Sequence, residues 1–388
     1  LSHGTLGASL LGKRIVVCVG SGGVGKTTTA ATIAIAGARR GKKALVLTID
    51  PAKRLASSLG LPQLDHEERE VPAAVLAQAG PVAAGGRLYA MMLDQKRAFD
   101  EVVARYASSP AAVARILENS IYKQISGSLT GSHEYAAMAK LYQIDRERDY
   151  DFIVVDTPPT AHALDFLDAP DKVTGAIDSP AVEWFVKPLK ATGSFSLKLV
   201  GVGGSFVLKR IAKFVGSQFL DQMAQFFVEF GDVLNGFRER ARDVTELLHS
   251  DKLGFVLVAA PEPAAVEEAL FFHERLVEQS MPFLGFVVNR VHLPGDFGGP
   301  DEPTPGEITA ALQSRAELAD LPPYDLARGA EPLAAATHEI EVLAEADRIQ
   351  TLRLKQAAPD RPLAVVPVQD EDVHDVRALG ALGAFVWP

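Results

Sequence analysis

The sequence predicts an α/β fold with a mostly parallel central sheet flanked by helices. Three observations carry this. Several short apolar runs are continuous rather than alternating, as expected for strands covered on both faces. The first two runs are separated by a glycine-rich turn and an alanine-rich helical stretch, which is the order of a βαβ unit. Two longer stretches between later runs have helical rather than strand-like patterning.

Taken in order, Arg14 to Val19 reads as a buried strand, Thr27 to Arg39 as a helix, and Lys43 to Ile49 as a second strand. Further central strands are expected at Leu88–Leu93, Phe152–Val155, Phe255–Ala259, Phe283–Val288 and Leu363–Val366. Residues 96–148 and 169–250 are expected to form a helical subdomain inserted into a single domain spanning 1–388. Within the second stretch, Phe219, Met223, Phe226, Phe227 and Phe230 recur at the spacing of an amphipathic helix. Residues 294–306, rich in Gly, Pro and acid, read as a mobile loop, and Ile308 to Gln356 as helices.

Composition narrows the function classes. The 388 residues are 47% hydrophobic and 23% charged, ordinary for a soluble globular protein. A net charge of −10 argues against a broad nucleic-acid-binding face. Lys198, Lys209, Arg210 and Lys213 form the conspicuous basic cluster. The sole cysteine, Cys18, sits in the first strand, where it reads as a small buried residue and excludes a CxxC zinc site within one subunit. No signal peptide and no uninterrupted membrane-length apolar run is evident, so a soluble, cytoplasmic protein without an integral membrane segment is expected.

Gly20 to Thr27 (GSGGVGKT) fits GxxxxGK[ST] between a strand and a helix, the context a P-loop requires. Its glycines free the backbone to wrap phosphates, Lys26 would reach the β- and γ-phosphates, and the Thr27 hydroxyl would bind Mg²⁺. The same residues satisfy GxGxxG, and Asp50 ends the next strand, as in a dinucleotide-binding fold. Lys26-Thr27 decides against that rival. So does Asp156, which ends a later apolar strand where a P-loop ATPase keeps its Mg²⁺-holding carboxylate. ATP with Mg²⁺ is the expected cofactor set, and ATP hydrolysis the expected reaction.

Gly22-Gly23-Val24-Gly25-Lys26-Thr27-Thr28 resembles the deviant Walker A of the family containing ArsA, ParA, MinD and the nitrogenase iron protein. Thr48-Ile49-Asp50-Pro51-Ala52 resembles the first switch of its arsenite-pump and tail-anchored-protein-targeting branch. Asp156-Thr157-Pro158-Pro159-Thr160-Ala161-His162 resembles the second switch, Phe286 to Arg290 the adenine-reading segment, and Pro367 with Glu371-Asp372-Val373 the adenine-side loop. The resemblance implies that Asp50 positions or deprotonates the attacking water and Asp156 holds Mg²⁺ through water. It implies further that Asn289 reads adenine and that Pro367 packs near the base. Plainer readings stand beside these: a strand-end turn at Asp50-Pro51, a loop cap at Asn289 and a structural hydrogen-bonding role for His162.

Two departures qualify the resemblance. Ser21 stands where the family's signature lysine, which reaches the partner's nucleotide across a dimer, would fall. Slow hydrolysis, a substitute cation such as Lys53 or Arg54, or a lysine-bearing partner would each accommodate it. Cys18 alone cannot supply the several soft thiolates that metalloid sensing needs. The resemblance thus implies a homodimer, or a heterodimer with a lysine-bearing paralogue, that opens and closes with ATP turnover. Its expected role is a targeting or chaperone-like factor for an apolar helical client. The alternatives are a regulatory or energising subunit of a membrane or protein complex, and a ParA-like cargo-positioning ATPase on DNA. For the client reading, the Phe219–Phe230 stripe, with Phe206, Val207, Ile211 and Phe214, is the candidate lining; the alternative is that the stripe is internal core.

Overall fold

The computed structural model describes residues 5–49, 54–120, 122–123, 132–158, 167–172, 174–175, 178, 217–295, 303–315, 318 and 320–388. For residues 54, 132–134, 217–229 and 232 the description covers backbone alone.

Eight described strands form one sheet: β1 (Ile15–Val19), β2 (Lys43–Thr48), β3 (Arg69–Glu70), β4 (Arg87–Met92), β5 (Phe152–Asp156), β6 (Leu253–Ala259), β7 (Phe283–Val291) and β8 (Leu363–Pro367). Their order across the sheet is β3-β4-β2-β5-β1-β6-β7-β8, parallel throughout except for β3, which pairs antiparallel with β4. Each apolar run read as a central strand is a strand, but Leu363–Val366 lies in β8 at the edge of the sheet, paired with β7 alone among the described residues. The short β3 escaped the sequence reading because Arg-Glu carries no apolar signal; it forms by pairing Arg69 with Ala90 and Glu70 with Tyr89.

The two-residue period of a strand sorts the core into two layers. Ile15, Val17 and Val19 face one side of the sheet, and Val16 and Cys18 the other. Helix Lys26–Arg39 and helix Val376–Val386 cover the second face. Trp387 closes that layer edge-on to Phe152, with centroids 5.5 Å apart, and the Arg40 guanidinium lies 4.6 Å from its ring centroid.

Helices Gln95–Tyr106, Ser132–Glu147, Ser217–Leu248 and Pro263–Glu278 lie on the first face and share its core. Phe237 stacks on Phe99 and Tyr135 at centroid distances of 5.0 and 5.3 Å, and the Tyr135 hydroxyl donates to the Phe237 carbonyl at 3.0 Å. Burying one such ring contributes roughly 1.5–3 kcal/mol. Phe230, the last residue of the phenylalanine stripe, is buried in this core beside Tyr122 and Phe237. The side chains of Phe219, Met223, Phe226 and Phe227 lie outside the description, as do Phe206, Val207, Ile211, Phe214 and the basic residues Lys198, Lys209, Arg210 and Lys213.

Of the loop expected over 294–306, residues 294–295 and 303–304 are irregular, and 296–302 lie outside the described residues. Its last two residues correct the expected boundary: Pro305 and Gly306 already open helix Pro305–Gln313. The reason is a capping box, in which the Thr304 hydroxyl accepts from the Glu307 N–H while the Glu307 carboxylate accepts from the Thr304 N–H. The helical reading of 308–356 resolves into this helix and the long helix Pro323–Ala357. No described helix is long and apolar enough to cross a membrane.

Candidate functional site

The site lies where the carboxyl ends of β1, β2, β5 and β7 meet. Parallel strands deliver their following loops to one edge, so residues distant in sequence converge there. After β1 the chain must pass beside β6, and a Cβ on Gly20 would stand 2.0 Å from the Val258 carbonyl oxygen, so only glycine fits. Gly23 and Gly25 take φ values of 78° and 95°, a region that L side chains adopt at a cost. A Cβ on Gly25 would also come 2.2 Å from Asn289 Nδ2.

Gly25 caps helix Lys26–Arg39 without any side-chain hydrogen bond. The first-turn N–H groups of the helix thus carry no capping oxygen of their own, the arrangement that suits a phosphate at the positive end of the helix. Lys26 is buried beneath this loop, and its Nζ donates to the Ser21 carbonyl at 2.7 Å. Ser21 is itself buried, and its Oγ has no hydrogen-bond partner among the described residues.

Asp156 is the hub. Its Oδ2 accepts from Thr27 Oγ1 at 2.8 Å and from Thr48 Oγ1 at 2.9 Å. Register produces the second contact, since Thr48 and Asp156 are partners across β2 and β5, just as Cys18 and Asp156 are across β1 and β5. The strand ends are tied further by Ile49 N–H to the Asp156 carbonyl at 3.1 Å and by Thr157 Oγ1 to the Cys18 carbonyl at 2.8 Å. Burial, aided by the negative Asp156 beside it, pushes the Cys18 thiol well above its ordinary range, so it stays protonated. This agrees with its reading as a packing residue and not a thiolate ligand.

The far side of the loop is held by β7. Asn289 Nδ2 donates to the Val24 carbonyl at 2.9 Å, and the β7–β8 register shifts between Asn289 and Val291. Arg290 occupies that irregularity with a φ of 62°. Pro367, paired with Val291, ends the neighbouring strand β8. The structure therefore brings Gly22 to Thr28, Asp156 and Asn289 together. Pro367 stands one strand away, and Asp50, Lys53 and His162 lie outside the described residues, with Arg54 described in backbone alone.

Thr48 has no site role in the sequence reading beyond its place in the switch-like segment, yet a threonine ending an otherwise apolar strand carries a hydroxyl that the core must satisfy. The hydroxyl of Thr27 beside the Asp156 carboxylate is a hard oxygen set that fits Mg²⁺ shared with substrate phosphates. The glycine cradle, which added Cβ atoms would fill, fits a polyphosphate.

Comparison with known proteins agrees with this geometry. Residues 13–298 match the family described as anion-transporting ATPase, a span holding the glycine loop and strands β1 to β7 but not β8. The chain is 25% identical over 278 residues to the protein named ATPase get3 of Aspergillus terreus, covering 71% of this chain and 73% of that one. A protein of Aquifex aeolicus, provisionally named arsenical pump-driving ATPase 1, is 24% identical over 262 residues, 66% of this chain and 58% of its own. The protein named ATPase GET3 of Malassezia globosa is 28% identical over 162 residues, 42% of this chain and 44% of its own. The chain thus spans less than two thirds of the length of the last two. With the phosphate loop, the strand-end carboxylate and a match over most of its length, this chain belongs to the anion-transporting ATPase family, whose members are P-loop ATPases.

Proposed function

We propose that this chain couples Mg²⁺-dependent ATP hydrolysis to the opening and closing of a dimer. The observation that carries the reading is the Thr27–Asp156–Thr48 cluster beside the glycine loop, which holds a carboxylate in one orientation at the phosphate end of the site. Lys26 and the N–H groups of the first helical turn bind the phosphates. Thr27 and Asp156 would hold Mg²⁺, which would supply charge neutralisation for the phosphates. Asn289 contributes to the adenine end, since its amide is fixed against Val24 with a carbonyl oxygen to spare. Pro367 flanks the base. Asp50, which follows β2 closely, positions or deprotonates the attacking water. Hydrolysis of this kind needs placement and charge balance more than covalent help.

Dimerisation is supported by the single P-loop in the chain and by the resemblance described above. At position 21 the chain offers a buried serine whose carbonyl is engaged with Lys26. This favours a heterodimer in which a paralogue supplies the trans-acting lysine, with a homodimer of low turnover as the alternative. The load we infer is an apolar helical client held by the helical layer. The burial of Phe230 argues that at least this end of the phenylalanine stripe is core and not lining, so a regulatory or energising subunit of a membrane or protein complex is the second reading.

ATP turnover measured against protein concentration tests the proposal, with Lys26→Ala as the blank. Loss of that amine should lower turnover by roughly 10²-fold or more. Turnover per subunit that rises with concentration supports a self-sufficient dimer. Tight ATP binding with almost no turnover at any concentration supports the heterodimer. Equal turnover in the Lys26→Ala variant would overturn the assignment of the site.

A further inference from the structure

Away from the nucleotide site, a cavity of about 450 Å³ opens beside helices Gln95–Tyr106 and Ser132–Glu147. Cationic side chains line it, and most are matched by carboxylates. Arg97 pairs with Glu67, Arg105 with Glu147, Lys140 with Glu101 at 2.7 Å, and Arg148 with Glu68 at 3.0 Å. Arg240, reaching in from helix Ser217–Leu248, is different. It is only 5% exposed, and its guanidinium lies 4.5 Å from the centroid of the Tyr142 ring. Its buried Nε has no hydrogen-bond acceptor among the described residues.

A guanidinium stays charged at every accessible pH, so burial cannot be relieved by losing the proton. A ring face offsets part of the desolvation but accepts no N–H bond in the plane of the fork. The nearby Glu147 carboxylate is already committed to Arg105 and Gln143. No carboxylate among the described residues pairs with this guanidinium, and an oxyanion in the cavity would engage its terminal N–H groups, the kind of contact an arginine makes best. The lining carboxylates Glu67, Glu68 and Glu101 are each held by a cation other than Arg240.

We propose that this cavity binds a small soluble ligand through an oxyanion headgroup, phosphate or carboxylate, with Arg240 as its fixed donor. The cavity is roomier than a bare phosphate requires, which favours a headgroup carrying an organic body. The proposal stands on Arg240 and its surroundings and is independent of how the P-loop works.

Thermal unfolding of the full chain tests it. Because the P-loop also takes phosphate, the parent is the Lys26→Ala variant, compared with Lys26→Ala/Arg240→Met. The probes are inorganic phosphate, glycerol phosphate and citrate. A probe at ten times its dissociation constant shifts the unfolding equilibrium about 11-fold toward the native state. The expected result is a rise in midpoint for the parent with at least one probe and none in the double variant. Glycerol phosphate outranking inorganic phosphate identifies a phosphate ester, and a response to citrate alone identifies a carboxylate. Should Arg240→Met fail to fold, Arg240→Lys keeps the charge but not the fork and should bind several-fold more weakly. No rise with any probe, or an equal rise once the guanidinium is gone, overturns the proposal.

Discussion

Replacing Thr48 with valine removes one hydroxyl from a carboxylate that is 1% exposed, while leaving the volume of the side chain almost unchanged. The lost bond is Thr48 Oγ1 to Asp156 Oδ2 at 2.9 Å. A hydrogen bond to an ionised group contributes about 1.5–3 kcal/mol. That range corresponds to about one to two decades in the unfolding equilibrium. Urea unfolding of the nucleotide-free protein would read it as a lower midpoint at unchanged slope. The same change removes one of the hydroxyls that orient the carboxylate, so the Mg²⁺ concentration for half-maximal turnover should rise. Thr48→Ser is the companion. It gives up a methyl group, about 0.8 kcal/mol, but keeps the donor, and should leave the Mg²⁺ dependence near that of the parent. A Thr48→Val protein with parental stability and parental Mg²⁺ dependence would refute the idea that β2 orients Asp156.

Two further outcomes follow from the same geometry. Gly25→Ala must adopt a φ of 95° and bring a methyl 2.2 Å from Asn289 Nδ2. A left-handed backbone costs a non-glycine residue roughly 1–2 kcal/mol before any clash, so binding of a fluorescent ATP analogue should weaken about tenfold or more. Adding Asn289→Ala should recover little, because the backbone strain remains; full recovery would assign the effect to the clash instead. His66 concerns pH. Burial chiefly, with Lys140 and Arg97 beside it, lowers its pKa below the ordinary 6.5, outweighing Glu101. The unfolded imidazole therefore takes up a proton that the folded one resists. The stability this contributes is complete above the unfolded value and is lost as pH falls from there through the folded value. His66→Asn can keep an acceptor for the Asp94 N–H, now given to His66 Nδ1 at 3.1 Å. Urea midpoints at about pH 7.5 and about pH 5.5 should then differ less in the variant than in the parent; an equal difference would remove His66 as the source.

The glycine loop, the helix after it and the buried strands were all legible in the sequence. Each rests on local chemistry: glycine where φ is positive or a neighbouring carbonyl leaves no room for Cβ, and unbroken apolar runs where both sheet faces are covered. Lys26, Thr27 and Asp156 were legible because the phosphate-binding pattern and a strand-end acid are short-range signals. What only the tertiary structure decided depends on register and burial, which no local pattern records. Thr48 bonds Asp156 because β2 lies beside β5, although 108 positions separate the two residues. Asn289 braces Val24 across 265 positions. The same holds for Phe230, whose apolar spacing suits a groove as well as a core until its neighbours Tyr122 and Phe237 are placed. Arg240 sits on a helix surface like any other arginine until packing buries it. Sequence period sets which face of an element is apolar, whereas long-range pairing sets what that face meets.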